Sequence, residues 1–387
     1  MKNRFQKAFL IATLLLCSSY VVSQESKTTR KTVMAAKNTI KESDFGKKYD
    51  FYDVIEDIEF VPLEMTDESI VGGVTKIKFY KNYMIFWDGQ TRSIFIFNDK
   101  GKYIRKISRV GKGPGEYSGI SDFCVHPQTG MITIATNSRK IITYSFDLKE
   151  FKEYNDVPYA VGIEQFNNGY YAITSTQKEA NLYILDANMK IVHKGLANPF
   201  QYTSILNSSF TKFGDIILCR LPTYYNDTIY QITPNSFRPW RVPDFEVHPD
   251  YSNPTKYNEP DPQFGIRYNC PDMQMNGPYS ESSKFITYGI KYPGGNVNGL
   301  MTVLYSKKNK TVKLFTYSRL ENRPFNLFLP QYGIQDNKGR IVTKMDPIFI
   351  LDCKITKDDP ISLRIKELKK QLNEESNPVI TFITYKE

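Results

Sequence analysis

The chain has 387 residues, with 51 basic and 41 acidic side chains, a formal charge of +10, and 27 Tyr and 25 Phe against 2 Trp. The basic balance suits acidic glycans, anionic lipid headgroups, or simply a solvated lysine-rich surface. No nucleic-acid-binding module accompanies it, which argues against nucleic acid as a partner, and no run after the N-terminus has the length and apolarity of a membrane-spanning helix.

Lys2, Arg4 and Lys7 form a positive start, Ala8 to Leu16 an apolar stretch, and Val21-Val22-Ser23 a small-residue cleavage site. Residues 1–23 therefore read as a signal peptide, and the protein is expected outside the cytoplasm: periplasm, cell surface or medium. Lipidation at Cys17 is the rival to plain cleavage and the one route to membrane anchoring. Residues 24–48 are polar and rich in Lys, Thr and Ser, and read as a flexible leader. Residues 49–387 are long for one ordinary core, a limit that repeated sheets evade because each packs only on its neighbours.

Asp57 to Leu63 is a first strand, with Pro62 suited to a strand end. Lys76–Tyr80, Tyr83–Trp87, Ser93–Phe97 and Tyr103–Ile107 then make four antiparallel strands, the last two joined by the turn Asn98-Asp99-Lys100-Gly101. Four strands in about thirty residues is the size of one propeller blade. Gly111-Lys112-Gly113-Pro114-Gly115-Glu116-Tyr117 follows, and its glycines and proline cannot extend a strand. One reading makes it a tight crossover between blades, with Glu116 capping amides and Tyr117 packing. The other places Glu116 at a ligand funnel with Arg105 or Arg109 beside it.

A second group spans Ile120 to Phe151, a third Ala160 to Lys194 and a fourth Ser209 to Val242. Residues 244–282 form a Pro- and Tyr-rich insertion, long enough to be functional or disordered. Its aromatics, Tyr251, Tyr257, Phe264, Tyr268 and Tyr279, would stack on sugar rings or cover a blade. Phe285–Ile290, Leu300–Ser306 and Thr311–Thr316 belong to a fifth group. Asn326–Pro330, Ile334–Gln335, Ile341–Lys344 and Ile348–Leu351 suggest a sixth. A period of about 40 to 50 residues signals a propeller or solenoid. Ile361 to Asn373 has helical spacing, and Val379 to Tyr385 is a last strand, expected to share a closing sheet with Asp57 to Leu63.

Four features, Phe60-Val61-Pro62-Leu63-Glu64, the Gly111–Tyr117 loop, Tyr225-Asn226-Asp227-Thr228-Ile229-Tyr230 and Asn377-Pro378-Val379-Ile380, resemble a six-bladed β-propeller family of exported bacterial proteins. That family is similar to NHL-repeat and TolB-type propellers. The resemblance implies an all-β six-bladed propeller and export, and brings no catalytic residues with it.

The chemistry of sites is sparse. His126, His193 and His248 stand alone, without a zinc-hydrolase spacing, and no Gly-x-Ser-x-Gly elbow occurs. Cys124, Cys219, Cys270 and Cys353 lack a Cys-x-x-Cys pair; Cys124 and Cys219 sit in apolar strands and read as buried thiols. The expectation is a non-catalytic propeller that binds a glycan, peptide or protein through residues such as Arg105, Arg109, Glu116, Tyr117, Tyr257 and Tyr268, with no cofactor. The alternative is a lyase, lactonase or glycosidase using the central funnel, with room for a divalent cation. A structural envelope component is a third possibility.

Overall fold

The computed structural model describes residues 40, 55–177, 179–197, 210–213, 215–221, 227–243, 245, 274–291, 300–316, 334–336, 338–353, 355 and 358–386. Strand β1 is Ile55–Pro62. Blade one is β2 (Val74–Tyr80), β3 (Tyr83–Asp88), β4 (Ser93–Asn98) and β5 (Tyr103–Ile107). Blade two is β6 (Ile120–Val125), β7 (Ile132–Thr136), β8 (Lys140–Tyr144) and β9 (Phe151–Asn155). Blade three is β10 (Gly162–Gln165), β11 (Tyr171–Thr174), β12 (Leu182–Leu185) and β13 (Ile191–Gly195). Blade four is β14 (Phe210–Phe213), β15 (Ile216–Arg220), β16 (Ile229–Thr233) and β17 (Ser236–Arg241). Blade five is β18 (Gln274–Glu281), β19 (Phe285–Lys291), β20 (Leu300–Ser306) and β21 (Thr311–Thr316).

Blade six mixes both ends of the chain. It takes β22 (Ile334–Gln335) and β23 (Ile341–Met345) and then, after helices α1 (Pro347–Leu351) and α2 (Pro360–Lys369), β24 (Val379–Tyr385). The sheet order is β1-β24-β23-β22, so the N-terminal strand is outermost, paired antiparallel from Ile58↔Ile383 to Pro62↔Val379. The expected closing sheet is present.

Six apolar clusters fill six seams, one between each pair of adjacent blades. One of them joins blade six to blade one, through Val61, Val342 and Ile380 against Ile77, Phe86 and Phe97. Six sheets with a seam from last to first make a closed ring, the six-bladed propeller. In that seam Phe86 stacks on Phe95 and Phe97 at centroid distances of 5.7 and 5.3 Å; burying each ring contributes about 2–3 kcal/mol. A blade between two neighbours is covered on both faces. Middle strands such as β7 and β12 are therefore buried at every position, while the outermost β9 and β13 are largely exposed.

The resemblance motifs turn out to be staples between blades. After β1, the Glu64 amide donates to Gly101 O at 2.8 Å and the Glu64 carboxylate accepts from Tyr103 N. Gly101 has φ +78, and a Cβ there would lie 2.0 Å from Pro62 O, so the hairpin turn of blade one requires glycine. Asn377 Nδ2 donates to Glu64 O and Ser69 O, and its Oδ1 accepts from Val71 N. The first and last motifs thus meet at the closure. Asp227 accepts from Met275 N, and Arg220 donates to Met275 O and Gly277 O, holding the irregular start of β18.

Three expectations are corrected. β18 begins at Gln274, inside the segment read as an insertion; Tyr279 lies on that strand, 7% exposed, rather than on a sugar-stacking surface. Ile348–Leu351 is part of helix α1, because Pro347 at its first position favours a helix start and a four-residue apolar run reads alike in both structures. Ile40, within the leader, is fully buried in the seam of blades four and five and bridges Phe245. The other helix, α2, is capped by Asp359, whose Oδ1 accepts from Ile361 N and Ser362 N. Asn326–Pro330 lies outside the described residues, as do Tyr251, Tyr257, Phe264, Tyr268, His248, Cys17 and Cys270. No helix among the described residues is long and apolar enough to cross a membrane.

Candidate functional site

The first strand of each blade lines the central channel, and its side chains there are unusual. β2 carries Lys76 and Lys78, two residues apart and so on one face. β6 carries Asp122, β10 Glu164 and β14 Lys212. Lys76 Nζ donates to Asp122 Oδ1 at 2.6 Å, with both side chains 2% exposed, and Asp122 Oδ2 accepts from Ile163 N at 2.8 Å. Lys78 donates to Glu164 Oε2. Lys212 Nζ lies 3.6 Å from Glu164 Oε1. Lys78 belongs to blade one and Glu164 to blade three; a contact that skips a blade runs across the channel.

The electrostatics separate into two parts. Burial raises the Asp122 carboxyl and lowers the Lys76 amine, so desolvation dominates this pair, which is neutral in sum whether or not the proton has moved. Burial would also raise Glu164, but the charges of Lys78, Lys212 and Lys76 outweigh it and bring the carboxyl to about 2. Burial would lower Lys78, but Glu164 outweighs it and holds the amine above its ordinary range. What remains is two lysines against one carboxylate. His126 follows β6; burial, then Lys212, lowers its pKa, and its Nδ1 accepts from the amides of Gln128 and Thr129. Cys124, between Asp122 and His126, is fully buried and its thiol is pushed up by burial. Cys124, Cys219 and Cys353 are all free and buried.

The Gly111–Tyr117 loop sits elsewhere. Glu116 Oε2 accepts from Gly113 N at 2.7 Å, and Gly115 N donates to Glu153 Oε1 at 2.6 Å. Tyr144 OH donates to Gly115 O, and Lys140 Nζ to Glu116 O. Tyr117 is 1% exposed, its hydroxyl donates to Arg92 O, and burial pushes it up to about 12. The Arg109 guanidinium lies over Tyr144 and Phe151, and that of Arg105 over Phe146. Except for Arg92, in the turn before β4 of blade one, these partners belong to the outer strands and hairpin of blade two, so the loop wedges between blades one and two, away from the channel cluster. The structure brings Arg109, Glu116 and Tyr117 together and places neither these three nor Arg105 in the channel cluster.

Lys76, Lys78, Asp122, Glu164 and Lys212 are absent from the sequence-derived candidates. The available signal was a charge at the middle of the first strand of a four-strand group, as in Lys-Ile-Lys, Ser-Asp-Phe and Thr-Lys-Phe. Among the described residues, no group of three or more His, Cys, Asp or Glu is arranged to hold a metal ion.

Comparison with solved structures places this geometry. A "putative exported protein" of Bacteroides fragilis NCTC 9343 superposes over 90% of this chain and 99% of its own, with a TM-score of 0.75 and 18% identity, a likeness of fold. A member of the duf4221 family from Bacteroides vulgatus covers 86% of this chain and 97% of its own, at a TM-score of 0.49 and 10% identity, too remote to add to it. A search of the curated proteins finds no match. The family model for DUF4934, a domain of unknown function, matches residues 33–384, the whole ring together with the segment that carries Ile40. The chain belongs to the DUF4934 family.

Proposed function

We propose that this protein is an exported propeller that binds a glycan, peptide or protein ligand without transforming it. One observation carries the reading: both carboxylates of the channel cluster are committed to lysines. A lyase, lactonase or glycosidase needs a carboxyl or base free to move a proton or to hold a cation. Glu164, at about 2 and enclosed by ammonium groups, is a poor base and a poor cation ligand. The positive start and apolar stretch of residues 1–23, and the likeness in fold to a Bacteroides fragilis "putative exported protein", support export. The test is a thermal-shift screen of oligosaccharides and peptides, followed by incubation of each hit with the protein. A ligand that raises the melting temperature and is recovered unchanged by mass spectrometry fits the proposal. Conversion of the hit to a product overturns it.

A further inference from the structure

We infer that the channel cluster is an anion site that takes the carboxylate of a ligand. This rests on the binding reading above and specifies its chemistry. The first argument is charge. Asp122 and Lys76 cancel, and Lys78 and Lys212 together exceed Glu164 by one. The first strands of the six blades carry one further acid, Glu281, and it is consumed by Arg241 and Lys307. A monoanion brings the cluster to neutrality, while a dianion overshoots it. Excess positive charge gathered beside a buried carboxylate favours a bound counter-charge.

The second argument is hydrogen bonding. Each lysine carries three ammonium donors and no acceptor. Lys76, Lys78 and Lys212 make two side-chain hydrogen bonds between them, to Asp122 and Glu164. The three ammonium groups thus bring more donors than these two carboxylate contacts use. The third argument is access. Glu164 is 1% exposed, but the side chains of Lys78 and Lys212 are 19% and 32% exposed. The acid is sealed and the surplus cations are reachable, which selects an incoming anion over an incoming cation.

A carboxylate has two natural sources here, a uronic acid sugar or a peptide C-terminus, and calorimetry distinguishes them. The probes are glucuronate with glucose as the neutral control, and a tripeptide with a free or an amidated C-terminus. Saturable binding by one carboxylate probe and not by its neutral counterpart is expected. K212Q should weaken it at least tenfold and E164Q, which removes the competing negative charge, should tighten it. The two variants act in opposite directions, so misfolding cannot imitate the result, and circular dichroism checks each. The inference falls if neither carboxylate probe binds, if neutral probes bind equally well, or if both variants leave the affinity unchanged. A neutral ligand bound independently of Lys212 would overturn the anion site and leave the binding proposal intact. Turnover of a ligand would overturn the binding proposal whatever Lys212 does.

Discussion

Glu164 and Glu281 are both buried carboxylates held at about 2, and they reach that value by different means. For Glu281, burial is outweighed first by the Arg241 and Lys307 hydrogen bonds and then by those from Tyr279 and Trp240. Arg241 grips it with Nε and Nη2, Lys307 Nζ lies at 2.7 Å and Trp240 Nε1 at 3.0 Å. Every lone pair has a directed donor, and the knot ties adjacent blades four and five. For Glu164, burial is outweighed mainly by the charges of Lys78 and Lys212, drawn from blades one and four. Its partners keep donors in reserve. A carboxylate saturated by forks and ring N–H groups is a rivet; one neutralised by flexible ammonium groups leaves capacity for a ligand.

Closure of the ring is the broadest test of this contrast. Deleting residues 378–387 removes β24 from the middle of blade six. The melting temperature should fall by more than about 10 °C, or cooperative unfolding should vanish, by calorimetry. The channel cluster, which spans the ring, should lose carboxylate binding at the same time. Unchanged melting would show that blade six does not hold the ring.

Next in size are the two glutamates themselves. E281A strips the rivet and leaves Arg241 and Lys307 without their acid, a loss of about 3–5 kcal/mol. E164Q keeps an amide oxygen that still accepts from Lys78, and should cost about 2 kcal/mol. Urea titration orders the two; equal losses would erase the distinction between rivet and ligand site.

Acid tests both together. Each carboxyl lies at about 2 in the fold against an ordinary 4.5. A depressed carboxyl stabilises the fold above its unfolded value and loses that contribution as pH falls through the folded one. Stability should therefore decline from about pH 5 toward pH 2, by on the order of 3 kcal/mol for each glutamate. Calorimetry of E164Q and E281Q across that range should show a shallower acid limb than the parent. A limb of unchanged slope would mean that neither carboxyl is held low.

The smallest effect belongs to the Gly111–Tyr117 loop. E116A removes one acceptor from Gly113 N and should cost about 1 kcal/mol in urea titration. It should leave carboxylate affinity untouched, because Glu116 lies with blade two's outer strands. A change in affinity would bring that loop back into the binding surface.

Periodicity made much of the ring legible. Charged or Gly-containing turns between apolar runs mark the strand groups of blades one to five, and the apolar runs at Asp57–Leu63 and Val379–Tyr385 mark the pair that closes the ring. Where it failed, local pattern was ambiguous. Ile-Phe-Ile-Leu at 348–351 fits strand or helix alike, and β18 begins within a proline-rich stretch whose pairing with β19 is visible only in three dimensions.

The candidate site was far less legible. Gly111–Tyr117 attracted attention because glycine and proline stand out in a string, yet its contacts are those of a wedge. Lys78 and Glu164 look ordinary in sequence, 86 residues of chain apart, and meet only when the ring brings first strands to a common axis. Composition and spacing determined the strand repeat and the two closing strands, because these are read from residues close in the chain and from simple apolar counting. Which charges meet, which acid is sealed and which lysines keep free donors were decided by the tertiary structure, since burial and Coulomb attraction depend on distance in space and on the water excluded around each group.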